Sequence, residues 1–283
     1  MPTDPVAEAA PAKINLCLHV TGRRADGYHL LDSLVTFAGV GDRVTVTHGK
    51  GLALDVTGPE AALLVPEADN LVLRAARAMG VADAQLALWK TLPVASGIGG
   101  GSADAAATLR ALLRLTGRSL PSAEKVLALG ADVPVCLALQ PVRMQGVGDL
   151  LSPLPRLPDI WCVLVNPRVP VPTPQVFAAL TTRQNPPVPD IPPETLQSAA
   201  SFAAWLATAT RNDLVPPALT VAPILAQVQT ALSTTDRCLL ARMSGSGGTH
   251  FGLFTTQAAA EAAGQRLRKA RPDWWIVSSA LQR

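Results

Sequence analysis

The sequence predicts an α+β chain of two domains, and three observations carry that prediction. Apolar and polar residues alternate over several short runs in the first half before helical patterns begin. A stretch with four glycines in five residues, Gly97 to Gly101, then turns directly into an alanine-rich helical pattern. Beyond it, residues 152–193 hold 12 of the chain's 25 prolines. Prolines cannot donate to a sheet ladder and they break helices, so this stretch reads as linker and irregular surface. The boundary is expected near its start, giving domains 1–153 and 154–283. With 283 residues, 48% of them hydrophobic, the chain is long enough to bury a sizeable core.

The elements follow in order. Ile14, Leu16, Leu18 and Val20 alternate with partners on the other face and predict a strand. A polar turn, Gly22 to Gly27, interrupts. Leu30 to Phe37 and Arg43 to Thr47 predict two strands joined by a turn at Gly39-Val-Gly-Asp42, and Leu52 to Val56 a further one. Asp69 is the expected N-cap of a helix through Met79, closed by Gly80. Gln85 to Leu92 returns to strand. Ser102 is the expected N-cap of a helix running to Thr116, with Gly117 as its stop. Ser122 opens another that ends near Gly130. One short strand, Ile160 to Val165, crosses the proline-rich stretch. The second half is expected to hold helices over 198–209, 222–233 and 257–270, with strands over 237–243, 249–254 and 274–278. Strands first and helices later argue α+β and not a regular βαβ repeat.

Composition narrows the function. A net charge of +3 suits an anionic small molecule but is too weak for a nucleic-acid surface. The densest basic run, Arg266 to Arg271, ends a predicted helix, where cations complement the dipole. The four cysteines are scattered without a C-x-x-C pair, so neither a zinc site nor a redox motif is indicated. The N-terminus lacks the pattern of a signal peptide, and no apolar run approaches the ~20 residues that span a bilayer. A soluble cytoplasmic protein, with no membrane or nucleic-acid partner, is the expectation.

The glycine stretch, Pro93-Val-Ala-Ser-Gly-Ile-Gly-Gly-Gly-Ser-Ala-Asp-Ala-Ala-Ala107, is the strongest local signal. It is not a Walker loop, because no lysine follows the glycines. It is not the G-x-G-x-x-G fingerprint either, because Ser102 stands where the third glycine belongs. It still has both parts of an anion site, with bare amides in a turn and a helix N-terminus behind them. A plain strand-to-helix turn is the alternative, and one or two glycines would suffice for that. Asp104 would repel a naked phosphate, so a structural role is favoured for it over a metal-mediated one.

Two further stretches stand with this one. Pro11-Ala-Lys-Ile-Asn-Leu16 lies near the N-terminus and Met243-Ser-Gly-Ser-Gly-Gly248 near the end. In that order the three resemble the motifs of the GHMP small-molecule kinases, over nearly the whole chain. Gly22-Arg-Arg-Ala-Asp-Gly-Tyr-His29, Gly130-Ala-Asp-Val-Pro134 and Val171-Pro-Thr-Pro-Gln-Val-Phe177 resemble one branch of them. That branch phosphorylates the 2-hydroxyl of a cytidyl-diphosphate substrate in the non-mevalonate isoprenoid route. The resemblance implies a two-domain GHMP kinase fold, with a ribosomal-protein-S5-like N-terminal domain and an α/β sandwich C-terminal domain. It also implies ATP and Mg2+ as cofactors.

The same resemblance assigns roles. Asp132 matches the catalytic aspartate and Lys13 the lysine beside it. On residue type alone, Asp132 would read as a capping or turn residue and Lys13 as an exposed strand charge. Pro93, Val94, Ala95, Ser96, Gly97, Ile98, Gly99, Gly100, Gly101, Ser102 and Ala103 are expected to bind ATP, with Asn70 and Lys90 flanking the nucleotide. Asp69-Asn70 reads equally well as a plain helix start. Asn15, Tyr28, His29, Thr173 and Phe177 are expected to bind substrate, with Tyr28 and Phe177 holding the cytosine ring between them. Asn212-Asp213 echoes a pair in the family without a role derivable from sequence. His19, His48 and His250 read as structural or surface histidines. Two departures stand out: Ala95-Ser96 where the family more often has small residues such as glycine, and Gly248-Thr-His-Phe251 where alanine and small apolar residues are commoner. Another GHMP kinase acting on a different alcohol, or a silent nucleotide-binding module, remains an alternative on the sequence alone.

Overall fold

The computed structural model describes residues 5–64 and 69–283. The first strands are β1 (Val6–Asn15), β2 (His19–Arg23), β3 (His29–Thr47) and β4 (Leu52–Thr57). Then come α1 (Leu71–Ala78), β5 (Ala84–Trp89), α2 (Gly100–Thr116), α3 (Ala123–Leu129) and α4 (Val133–Ala138). Two short strands, β6 (Val142–Gly146) and β7 (Leu150–Pro153), precede β8 (Trp161–Asn166) and α5 (Thr173–Ala178). The chain closes with α6 (Ala199–Ala209), α7 (Val215–Val221), α8 (Leu225–Ser233), β9 (Leu240–Met243), β10 (His250–Phe254), α9 (Gln257–Ala270) and β11 (Trp275–Ala280).

Contacts divide the chain into two compact units that are not consecutive stretches. The first comprises residues 1–13, 40–94 and 99–139, and the second residues 14–39, 95–98 and 140–283, so residues 153 and 154 both fall in the second. In the first unit, the C-terminal half of β3 pairs antiparallel with β5, and β5 pairs parallel with β4. Helix α1 makes the crossover that a parallel pair requires. Helix α2 is the core element here, with residues 103–109 all buried. Its Ala105, Ala106 and Ala107 bring neighbouring elements close, and it packs against α1 and α4.

In the second unit, the N-terminal half of β3 pairs antiparallel with β2 and β6, and β6 with β7. A separate four-stranded antiparallel sheet has the order β11-β8-β10-β9. Its Val163, Val165, Phe254 and Ile276 pack with Val228 and Leu232 of α8 and Ala260 and Ala263 of α9. A second cluster joins Leu18 and Val20 to Val171, Val176, Leu214, Ala218 and Met243, with Phe177 partly buried against it. The α+β class holds, with the parallel β4–β5 pair inside it.

Several expectations change. The expected turn at Gly39 to Asp42 is continuous strand, part of the 19-residue β3. Gly41 serves close approach there: a Cβ on it would fall 2.5 Å from the Pro11 Cα. The first strand begins at Val6; its alanines and Pro11 mask the β pattern. Leu16 to Leu18 leave it, and a new strand begins at His19. The cap of α1 is Asn70, whose Oδ1 accepts the Val72 N–H at 2.9 Å, and not Asp69. The cap position of α2 is Gly99 at φ +66°, three residues before Ser102. Helix α7 lies outside the expected helices; its two adjacent prolines, Pro216 and Pro217, occupy its first turn, where the missing N–H costs nothing. The cysteines are free, with Cys17, Cys136 and Cys162 buried. Among the described residues, no helix is long and apolar enough to cross a membrane.

Candidate active site

In the first unit the site is built on β1, α2 and α4. Lys13 lies on β1 with its side chain 4% exposed, and its Nζ is 2.7 Å from Asp132 Oδ2. Asp132 occupies the cap position of α4 but makes no capping hydrogen bond. Its carboxylate is therefore engaged by the lysine, and its side chain is 34% exposed. The stem of Lys13 packs under the glycine stretch, where a Cβ on Gly99 would sit 3.3 Å from the Lys13 Cβ. The amino terminus of α2 thus lies directly beside the Lys13–Asp132 pair, and a Cβ on Gly130 would sit 3.5 Å from the Ser102 hydroxyl. Arg110 ties the two supporting elements together. It donates to Ala9 O on β1 at 2.6 Å and to Cys136 O on α4 at 3.0 Å, and it pairs with Glu8.

Lys90 directly follows β5, the strand that leads into the loop, and it is buried. Its ammonium donates to Asp42 and, at 2.9 Å, to Asp104. Burial alone would lower its pKa, but the two carboxylates outweigh burial and raise it. Asp104 is pushed up to about 7 by burial and by the charge of Asp42, against the pull of Lys90. Asp104, for which a structural role is expected, is buried in this ion cluster. Asn70 uses its Oδ1 on the first turn of α1.

In the second unit, residues 95–98 of the glycine stretch lie against the third motif. The Thr249 N–H donates to Ser96 O at 2.9 Å, and the Ser244 hydroxyl donates to Gly97 O at 3.1 Å. The same hydroxyl accepts the Asn15 N–H at 3.1 Å, so one oxygen joins all three motifs. Gly97 at φ +72° is required here, because a Cβ would fall 2.6 Å from Ser244 O. Asn212 holds the third motif from behind, donating to Met243 O and Gly245 O at 2.9 Å each. Asp213 accepts the Val20 N–H and pairs with Arg211. The Asn212-Asp213 pair thereby acquires a supporting role.

The substrate-side residues also collect in this unit. Asn15 is fully buried; its amide Nδ2 donates to Ser33 Oγ at 2.7 Å, and Ser33 in turn donates to Cys17 O. Its Oδ1 has no hydrogen-bond partner among the described residues, nor has the buried His29 Nε2. The rings found stacked are His29 and Phe177, with centroids 4.9 Å apart. Tyr28, expected opposite Phe177, is 64% exposed. Burial lowers the pKa of His29, with Arg23 and Arg183 adding to the effect. Thr173 bonds the Ser246 hydroxyl at 2.7 Å, which places α5 on the third motif.

The other histidines lie elsewhere. His19 is buried between Pro186 O and the Arg211 N–H, so Nδ1 carries the proton and Nε2 accepts. His250 is buried on β10 and His48 is exposed. Sequence reasoning missed Asp42, Arg110, Ser33, Ser244 and Ser246 as individual contributors. Asp42 follows a Gly-Val-Gly stretch that reads as a turn, and a helix arginine at Arg110 reads as solvated surface.

The chain has relatives among known proteins. Residues 70–138 match the family described as GHMP kinases N terminal domain, and residues 195–273 match GHMP kinases C terminal. A 4-diphosphocytidyl-2-C-methyl-D-erythritol kinase of Cereibacter sphaeroides is 60% identical over 96% of this chain and 98% of its own. The chain belongs to the 4-diphosphocytidyl-2-C-methyl-D-erythritol kinase family. A member of this family from Ruegeria pomeroyi is 55% identical over 95% of this chain and 96% of its own. A crystal structure titled 4-(cytidine 5'-diphospho)-2C-methyl-D-erythritol kinase superposes with TM-score 0.80 at 32% identity, covering 98% of this chain and 99% of that one. A homoserine kinase from Cytophaga hutchinsonii shares the fold at TM-score 0.67 and 19% identity, covering 99% of this chain and 95% of its own. The chain is thus a small-molecule kinase of the GHMP superfamily and an ATP user.

Proposed function

We propose that the chain transfers the γ-phosphate of ATP to the 2-hydroxyl of 4-diphosphocytidyl-2-C-methyl-D-erythritol, a step of the non-mevalonate route to isoprenoid precursors. Family membership supplies the substrate. The observation in the fold that carries the chemistry is the Lys13–Asp132 ion pair beside Gly99.

Phosphoryl transfer leaves little covalent chemistry to the protein and depends on positioning and on electrostatics. The glycine stretch offers N–H donors and a helix N-terminus, which suit phosphate oxygens. Asp132 accepts the proton of the attacking hydroxyl as the new O–P bond forms and the bond from the γ-phosphorus to the β,γ-bridging oxygen breaks, releasing ADP. Lys13 holds that carboxylate in place and faces the oxygen on which negative charge develops. Mg2+ enters this proposal on the nucleotide's phosphates and water, since amide donors do not bind a cation. There it would offset the charge that builds on the β- and γ-phosphate oxygens.

Asn15 Oδ1 and His29 Nε2 are buried polar atoms left for ligand hydrogen bonds. The His29–Phe177 stack supplies a flat face for the cytosine, and Tyr28 and Thr173 complete the substrate set. The test is direct: incubate the chain with ATP, Mg2+ and the cytidyl substrate and locate the phosphate in the product by phosphorus NMR. A phosphate on the 2-hydroxyl supports the reading. No transfer, or transfer to another hydroxyl, overturns it.

A further inference from the structure

Asp42, Lys90 and Asp104 form a buried ion cluster that spans the two ends of the glycine stretch. At the entry, Asp42 Oδ1 accepts the main-chain N–H groups of Thr91 and Leu92 at 2.6 and 2.8 Å. At the exit, Asp104 is a residue of α2 and receives the Lys90 ammonium. Between them, a Cβ on Gly100 would lie 3.2 Å from Lys90 Nζ and 3.9 Å from Asp42 Oδ2. The cluster therefore sits directly behind the first residue of α2, and Gly100 leaves it room to do so.

We propose that Asp42, Lys90 and Asp104 are positioning residues that hold the start of α2 for nucleotide binding, and that a proton on Asp104 strengthens that binding. The proposal rests on the reading of residues 93–103 as the ATP loop. One ammonium faces two carboxylates, so the cluster carries either a net negative charge or a bound proton. Asp104 Oδ1 is the atom left for that proton, being buried without a hydrogen-bond partner among the described residues. An unpaired buried charge is costly, and a neutral carboxyl avoids the cost. The Asp104 midpoint of about 7 places the choice inside the physiological range.

The groups around Asp104 leave it little other compensation. Asp42 faces it from β3 and Lys90 from just after β5. Cys136 of α4, whose thiol burial pushes up, lies toward the Lys13–Asp132 pair. From α1, Leu71 lies near Gly101, while Arg74 turns to Ala128 O and Asp69. An ionised Asp104 places negative charge behind amides that must receive phosphate, and so offsets the positive end of the helix dipole that the phosphate would otherwise meet. Linkage then works in both directions: protonation favours nucleotide, and nucleotide favours protonation.

The experiment compares wild type with Asp104→Asn, titrating a non-hydrolysable ATP analogue with Mg2+ by calorimetry at about pH 6 and about pH 8. The variant keeps the shape of the side chain and cannot titrate, so it subtracts the ionisation of the nucleotide itself. Between those pH values the wild-type Kd should rise about three- to tenfold more than that of the variant. In steady state the difference should fall on KM for ATP and not on kcat. Equal pH dependence in the two proteins overturns the inference while leaving the ATP loop intact. A wild-type protein that binds no analogue overturns the loop reading and the inference together. Should Asp104→Asn not fold, carbon-13 NMR of the wild-type Asp104 carboxyl decides. Its midpoint should move up on saturation with the analogue, and a midpoint that does not move overturns the inference.

Discussion

Lys13 Nζ and Asp132 Oδ2 meet at 2.7 Å across 119 positions of sequence, with the lysine buried and the aspartate partly open. Asp132 stands where a helix cap belongs yet caps nothing, so removing its charge leaves α4 its hydrogen bonds. Asp132→Asn should lower kcat by about 10^2- to 10^4-fold, the usual worth of a positioned general base. Affinity for the ATP analogue should stay within about threefold. Single-turnover assays with parallel calorimetry check both halves. Unchanged kcat would sink the mechanism.

Arg110 supports that pair from a distance. Its guanidinium bridges Ala9 O on β1 and Cys136 O on α4, the two elements that carry Lys13 and Asp132. Arg110→Ala leaves two carbonyls and Glu8 without this partner, a loss of about 2–4 kcal/mol of stability. It should also reduce kcat, because the pair is then held less closely. Lysine cannot reproduce the fork, so Arg110→Lys should recover stability better than kcat. Denaturant unfolding and initial rates on the same preparations separate the two effects.

The stacked His29 and Phe177 rings invite a test of the base-binding reading. A base on an aromatic face is worth about 1–3 kcal/mol, so Phe177→Leu should raise KM for the cytidyl substrate by about 5- to 150-fold. KM for ATP should hardly move. Tyr28 is exposed and contributes little to the core, so Tyr28→Ala should leave Tm unchanged. Any rise in substrate KM in that variant then reports a contact of Tyr28 with the base. Steady-state kinetics with each substrate varied in turn supply the answer.

These sites were unequally legible in the sequence. The glycine stretch and the Lys13, Asp132 and Ser244 segments announced themselves because backbone chemistry and motif order are local properties. The α+β class followed from where the alternating runs fell. The supports were not local. Asp42 gains its meaning only from Lys90 and Asp104, 48 and 62 positions away, and the intervening chain gives no sign of the pairing. Gly41 looked like a turn glycine, although its role is to let β1 approach β3. Tyr28 and His29 are neighbours, but Tyr28 ends the turn before β3 while His29 is the first residue of that strand. Sequence could place an aromatic there without saying which ring meets Phe177.

Ala95 offers a test of strain in the loop. It is a non-glycine residue at φ +50°, in the left-handed region that favours glycine. The left-handed region costs an L-residue about 1–2 kcal/mol, of which the greater chain entropy of glycine takes back a part. Ala95→Gly should therefore stabilise the protein by about 0.5–1 kcal/mol, read as a higher midpoint in urea with the slope unchanged. A lower midpoint would show that the alanine methyl group makes contacts worth more than the strain.

His250 sets a lower pH limit for the fold. It is buried on β10, its Nδ1 has no partner among the described residues, and burial lowers its pKa to about 4. In the unfolded chain the same imidazole titrates near 6.5. Above about pH 6.5 both states are neutral and the histidine costs nothing. As pH falls from there toward about 4, the unfolded chain binds a proton that the folded one refuses, and stability drops. The full interval corresponds to about 3 kcal/mol. His250→Gln, which cannot titrate, should remove this part of the acid sensitivity while leaving any contribution from carboxylates. Urea unfolding of both proteins at several pH values between about 4 and 7 measures the difference. Parallel curves would mean that the imidazole is protonated as readily in the fold as outside it.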